Sequence, residues 1–159
     1  GGRFDMWQRY TLCAHHRDML VEVTTRDAAN KVLCTGVQKV GTAAADSVKR
    51  RHESVGSVKE NGLAVSWGCD YPDMGKKSIW APVAVGLAVW VPQRYVVGTE
   101  EDELNYLVKM KSDENGKLKY WLSFCAEIED DGPKSGEEWI REAKIWKRML
   151  ENEVVIKIR

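Results

Sequence analysis

The 159-residue chain has only four prolines, three histidines and two phenylalanines, and its 24 basic residues cancel its 24 acidic ones. Zero net charge removes the basic excess that a nucleic-acid or anionic-membrane partner ordinarily requires. The longest apolar run, 79–92, is interrupted by Pro82 and falls short of the roughly 20 residues of a membrane span. Cys13, Cys34, Cys69 and Cys125 form no Cys-x-x-Cys pair and lack zinc-ligand spacing. Their pairing stays open among the three arrangements that four cysteines allow. Gly-x-Gly-x-x-Gly, P-loop, Gly-x-Ser-x-Gly and His-Glu-x-x-His segments are all missing. No nucleotide cofactor, hydrolase elbow or metal site is therefore expected. The acidic run 100–103 lacks the spaced ligands of a calcium loop and reads as solvated charge. The chain opens Gly1-Gly2-Arg3, without methionine or a charged-then-apolar leader, and is expected to be processed or cut from something longer.

What is present is strand texture rich in tryptophan, with seven in this length. Residues 4–16 alternate, with Phe4, Met6, Tyr10, Leu12 and Ala14 on one face and Trp7, Arg9, Cys13 and His15 on the other. Residues 19–25 alternate as well, with Arg17-Asp18 as the expected turn. Matching the apolar faces sets Ala14 opposite Val21, Leu12 opposite Val23 and Cys13 opposite Glu22. Further strands are expected over 31–40, 62–67 and 83–91, the last apolar on both faces, with 93–97 continuing it past Pro92. Asn115-Gly116 predicts a tight hairpin between 104–110 and 118–128. Ser135 with Glu138 reads as a capping box opening a helix, residues 135–151. Its stripe of Trp139, Ala143, Trp146 and Leu150 is expected to dock on the sheet, with Glu137 and Arg141 as an exposed pair. A closing strand is expected over 154–158. The polar segment 41–61, with the basic cluster Lys49-Arg50-Arg51-His52, reads as a solvated loop.

The expected fold is one mostly β domain over 1–159: an antiparallel β-sandwich with one C-terminal α-helix. The strand ends lie open at both termini, which makes it part of a larger sheet system, completed by another chain or by a missing half.

In the expected register His15 is the diagonal neighbour of Glu22, within side-chain reach. A histidine held by a carboxylate can exchange protons near neutral pH, so these two are the candidate catalytic pair. The more ordinary role is a solvent-facing cross-strand pair. Outward tryptophan on a sheet suits stacking on sugar rings, which makes Trp7 and Trp121 candidate substrate-binding residues. Arg9 shares their face, and Gln38 and Lys39 are polar positions in an apolar strand that call for a reason.

Three stretches carry a likeness: Leu33-Cys34-Thr35-Gly36-Val37-Gln38-Lys39-Val40, Lys77-Ser78-Ile79-Trp80-Ala81-Pro82 and Leu122-Ser123-Phe124-Cys125-Ala126. With the opening Trp7 to Arg17 and the closing helix, they resemble the later half of a secreted Bacteroidetes family of unknown function. That family is similar to the galactose-mutarotase-like β-supersandwich proteins of polysaccharide-utilisation systems. The resemblance implies carbohydrate binding or processing, with an oligosaccharide or polysaccharide as partner and a periplasmic or extracellular location. Its histidine–glutamate motifs have no counterpart here. If the chain is an enzyme, His15 and Glu22 would carry lyase or epimerase chemistry on an acidic oligosaccharide, with Arg9 or Lys39 neutralising the uronate. If it is a binding module, Trp7 and Trp121 would hold the sugar without proton chemistry.

Overall fold

The computed structural model describes residues 3–26, 31–40, 62–70 and 81–152. The expectations for the polar segment 41–61, for Trp80 and for the strand 154–158 lie outside the described residues. The elements run β1 (Asp5–Leu12), β2 (Asp18–Arg26), β3 (Leu33–Gln38), β4 (Leu63–Asp70), β5 (Val83–Trp90), a 3-10 turn (Gln93–Tyr95), β6 (Val96–Glu101), β7 (Asn105–Met110), β8 (Lys117–Ala126) and α1 (Gly136–Glu151). They form two antiparallel sheets, ordered β1-β2-β8-β5-β4 and β3-β7-β6. The fold is the expected β-sandwich with one C-terminal helix.

The five-stranded sheet is the middle layer. Its inner face sends Val21, Val23, Val89, Leu118 and Tyr120 against Val37, Tyr106 and Val108 of the smaller sheet, forming one core cluster. Its outer face sends Leu63, Val65, Trp67, Ala88, Trp90 and Cys125 against Trp139 and Ala143 of α1, forming a second. β5 is central and covered on both sides, which is why it reads as a continuous apolar run. Gly86 makes the helix contact close. A Cβ there would stand 2.6 Å from Cys125 Sγ and 2.7 Å from the Trp139 ring, whose Nε1 donates to Leu87 O at 3.2 Å.

Five expectations need correction. First, β1 is shorter and shifted: Leu12 stands opposite Met19 and Tyr10 opposite Val21. The chain leaves the strand at Leu12, and a turn closed by His16 N donating to Cys13 O carries His15 at φ 62°. Second, the face bearing Met6, Tyr10 and Leu12 is not core; all eight β1 residues are exposed. With no buried face, the apolar pattern of β1 had nothing to fix its alignment. Third, Asn115-Gly116 is a turn, with Gly116 at φ 73° and its N donating to Asp113 O, but it joins strands of different sheets. Fourth, residues 93–97 do not prolong β5; the chain turns at Pro92 and begins β6 in the smaller sheet.

The fifth correction concerns the helix start. Ser135 Oγ accepts from Glu138 N at 3.2 Å as expected, but Glu138 reaches past the cap to accept from Lys134 N. Arg141 pairs with Glu138 rather than Glu137.

Candidate functional site

Strands β1, β2 and β8 extend beyond the cover of α1 and leave their outer face open. The register arranges that face in rows: Trp7–Thr24–Lys117, Arg9–Glu22–Lys119 and Thr11–Leu20–Trp121. Directly opposed residues point to the same side, so two tryptophans flank a charged row. The separation of Trp7 from Trp121, two strands across and four residues along, is roughly 16 Å from ordinary sheet spacings.

Arg9 Nε donates to Glu22 Oε2 at 2.7 Å, and its Nη2 donates to the same oxygen. Lys119 Nζ sits 4.9 Å from the centroid of Trp121, and Arg26 Cζ sits 5.5 Å from that of Trp7. Both are cation–π distances. Trp121 is half-buried against Trp90, with ring centroids 5.1 Å apart, while Trp7 is 52% exposed. The buried Nε1 of Trp90 has no hydrogen-bond partner among the described residues. Arg9, Arg26, Lys117 and Lys119 against Asp5, Asp18 and Glu22 leave this face slightly cationic in a chain without net charge.

At the helix side the face ends in an apolar recess of about 210 Å³ between α1 and β2, bordered by Trp146, Ile145, Met149 and Arg17. Trp146 Nε1 donates to Asp18 Oδ2 at 3.1 Å, and Arg17 bridges Glu129 and Glu142 at 3.1 and 3.4 Å. These contacts tie the start of β2 to the helix. A larger concavity, about 500 Å³, takes in residues of both faces, with Trp7, Arg9 and Lys119 from the outer rows and Val23, Leu118 and Tyr95 from the inner side.

The site residues expected from the sequence do not all meet. Trp7, Arg9, Glu22 and Trp121 share the outer face. His15 does not join them: it sits in the exposed turn beyond Leu12, while Glu22 lies three rows further along, opposite Arg9. At about 3.3 Å per residue the two rows alone are roughly 10 Å apart, so the diagonal His15–Glu22 pairing is corrected and Glu22 is held by a guanidinium instead. His16 is hydrogen-bonded, its Nδ1 lying 3.1 Å from Asp18 Oδ1.

Gln38 and Lys39 lie at the end of β3, in the other sheet. Lys39 Nζ donates to Asp102 O at 2.7 Å, stands 3.8 Å from Glu101 Oε2 and lies over the Tyr106 ring. The acidic run is engaged in the same way: Glu100 pairs with Lys109, and Asp102 Oδ1 accepts from the amides of Leu104 and Asn105. The Leu104 amide and the Asn105 side chain hold the Asp102 carboxyl below its ordinary range. Lys117 and Lys119 were missed by the sequence reading. The signal was there, since they alternate with Trp121 at the two-residue period of one strand face.

Cys13 and Cys34 are exposed free thiols, and Cys125 is a buried one whose pKa burial pushes up to about 12. Among the described residues no helix is long and apolar enough to cross a membrane.

The family model for DUF4861, a domain of unknown function, matches residues 1–156. The chain belongs to DUF4861. No curated protein and no solved structure matches it.

Proposed function

We propose that this DUF4861 domain binds an acidic oligosaccharide on the outer face of β1, β2 and β8, without proton chemistry of its own. The observation that carries the reading is the pair of tryptophans flanking a cationic row on one open surface. Indole faces stack on the apolar faces of sugar rings, and Lys117 and Lys119 offer ammonium groups to carboxylates between them. Arg9 is held by Glu22 within the row between the two tryptophans. Glu22 faces Arg9 rather than His15, so this reading assigns no proton transfer to that pair.

The likeness to galactose-mutarotase-like proteins of Bacteroidetes polysaccharide-utilisation systems supports the same ligand class and a periplasmic or extracellular setting. Titration calorimetry against a panel of uronic-acid and neutral oligosaccharides tests the reading. Heat from acidic members, reduced at least about tenfold in affinity by Trp7→Ala or Lys119→Ala, is expected; about 1.4 kcal/mol corresponds to that factor. Absence of heat from every sugar would end the proposal.

A further inference from the structure

Among the described residues, β1 is a sheet edge without the usual protection. Natural edge strands are blunted by proline, bulges, repeated lysines or a covering element. β1 has no proline or lysine, pairs with β2 without a register shift, and exposes Met6, Trp7, Tyr10 and Leu12. Its only charges are Asp5 and Arg9.

Those two charges point to the occupant. An antiparallel copy related by a two-fold axis normal to the sheet keeps outer side chains on the outer side, so only residues of the same face can oppose each other. With the axis at Trp7, the indole meets its own copy, Asp5 meets the second copy's Arg9, and Phe4 meets the second copy's Tyr10. Symmetry makes each of the last two contacts twice. An axis at Arg9 would oppose two guanidinium groups, and one at Gln8 would set Asp5 against a threonine. Asp5 has no ion pair among the described residues, and Arg9 holds Glu22 through Nε and Nη2.

We propose that two copies of this chain join β1 to β1 in antiparallel register about Trp7, fusing their five-stranded sheets into one. The pairing sets the two outer faces side by side, with Trp7 and Arg9 at the seam. Strand pairing alone buries little area, so the dimer is a reversible one of micromolar strength.

Sedimentation velocity of the 159-residue chain across micromolar concentrations is expected to show a monomer–dimer equilibrium. Asp5→Arg turns each ion pair into a repulsion and is expected to weaken dimerisation by at least about tenfold. In a Cys13→Ser, Cys34→Ser background, Trp7→Cys is expected to cross-link two copies. Gln8→Cys is not, because in this register its copies stand beyond the roughly 7 Å Cα limit for a disulfide. A monomer at every concentration, a dimer indifferent to Asp5→Arg, or faster cross-linking through Gln8→Cys would each overturn the proposal. Asp5 is exposed, and unchanged far-ultraviolet dichroism will certify that its variant folds.

Discussion

The two edge strands of the five-stranded sheet, β1 and β4, are both eight residues long and contain a tryptophan, yet they live in opposite surroundings. Residues 63–68 of β4 are all buried, with α1 over one face and the smaller sheet over the other. Val40 closes its inner face further: its N donates to Ser66 Oγ at 3.0 Å, and its carbonyl lies against Gly68. Every residue of β1 is exposed. Cohesion is therefore concentrated at the β4 side, and the β1 side is free to be shaped by what it touches. Surfaces that bind are drawn from the less cohesive part of a fold, because a covered strand has no side chain to offer.

Exchange of the two tryptophans for alanine gives the largest expected contrast. Trp67 on β4 is 5% exposed in the cluster beneath α1, so Trp67→Ala is expected to cost about 3–5 kcal/mol of unfolding free energy. Trp7→Ala on β1 is expected to stay within about 0.5 kcal/mol of the parent. Guanidinium denaturation of both variants measures the difference. A comparable loss from Trp7→Ala would mean that β1 is covered, and the comparison would fail.

Backbone packed on the inner face of β4 should give the next effect. A Cβ on Gly68 would meet the Val40 carbonyl oxygen at 2.4 Å, and backbone cannot swing aside as a side chain can. Gly68→Ala is expected to cost about 1–3 kcal/mol by overpacking. Thr11→Ala, on the bare strand, is expected to be nearly silent in the same assay.

How much of this was legible follows the same division. β5 declares itself as an unbroken apolar run because both its faces are buried, and α1 declares itself through Ser135 and the Trp139–Ala143–Trp146–Leu150 stripe. The two-sheet architecture with its helix could thus be read from the chain. The β1 alignment could not, since a strand with no buried face has no patterning that selects one register over another. Asn115-Gly116 encoded a local reversal and nothing about which sheet each flanking strand joins. Trp7 and Arg9 share a face by simple alternation, whereas Trp121 joins them only through the β2–β8 pairing, which no local pattern encodes. His15 was misplaced because its pairing depended on the register, and Gln38 and Lys39 because sheet membership is a long-range property.

The thiols sharpen the contrast chemically. Cys125 is buried beside Gly86 and Trp139, and burial raises its pKa to about 12, whereas Cys13 lies exposed just past the end of β1. Near pH 8, iodoacetamide is expected to modify Cys13 rapidly and Cys125 only on unfolding. The sign of the linked stability follows. Above the ordinary thiol value of 9.0 the unfolded chain binds fewer protons than the native one. The Cys125 contribution is therefore complete below about pH 9 and is lost as pH rises toward about 12. Cys125→Ala should flatten that alkaline decline, and an unchanged decline would assign it to other groups.

The smallest expected effect lies at the turn that ends β1. His15 holds φ 62°, a left-handed conformation that costs a side chain with a Cβ about 1–2 kcal/mol. Glycine escapes that penalty but has more freedom to lose on folding, so His15→Gly is expected to gain up to about 1 kcal/mol. The same variant separates the two roles considered for this imidazole. A histidine that only closes a turn can be replaced with a gain in melting temperature and unchanged saccharide affinity, whereas one that holds ligand would lose affinity as stability rises. Stabilisation without loss of binding would confine the β1 contribution to the row of Trp7 and Arg9, where the strand is straight and its side chains are aimed by their partners across β2.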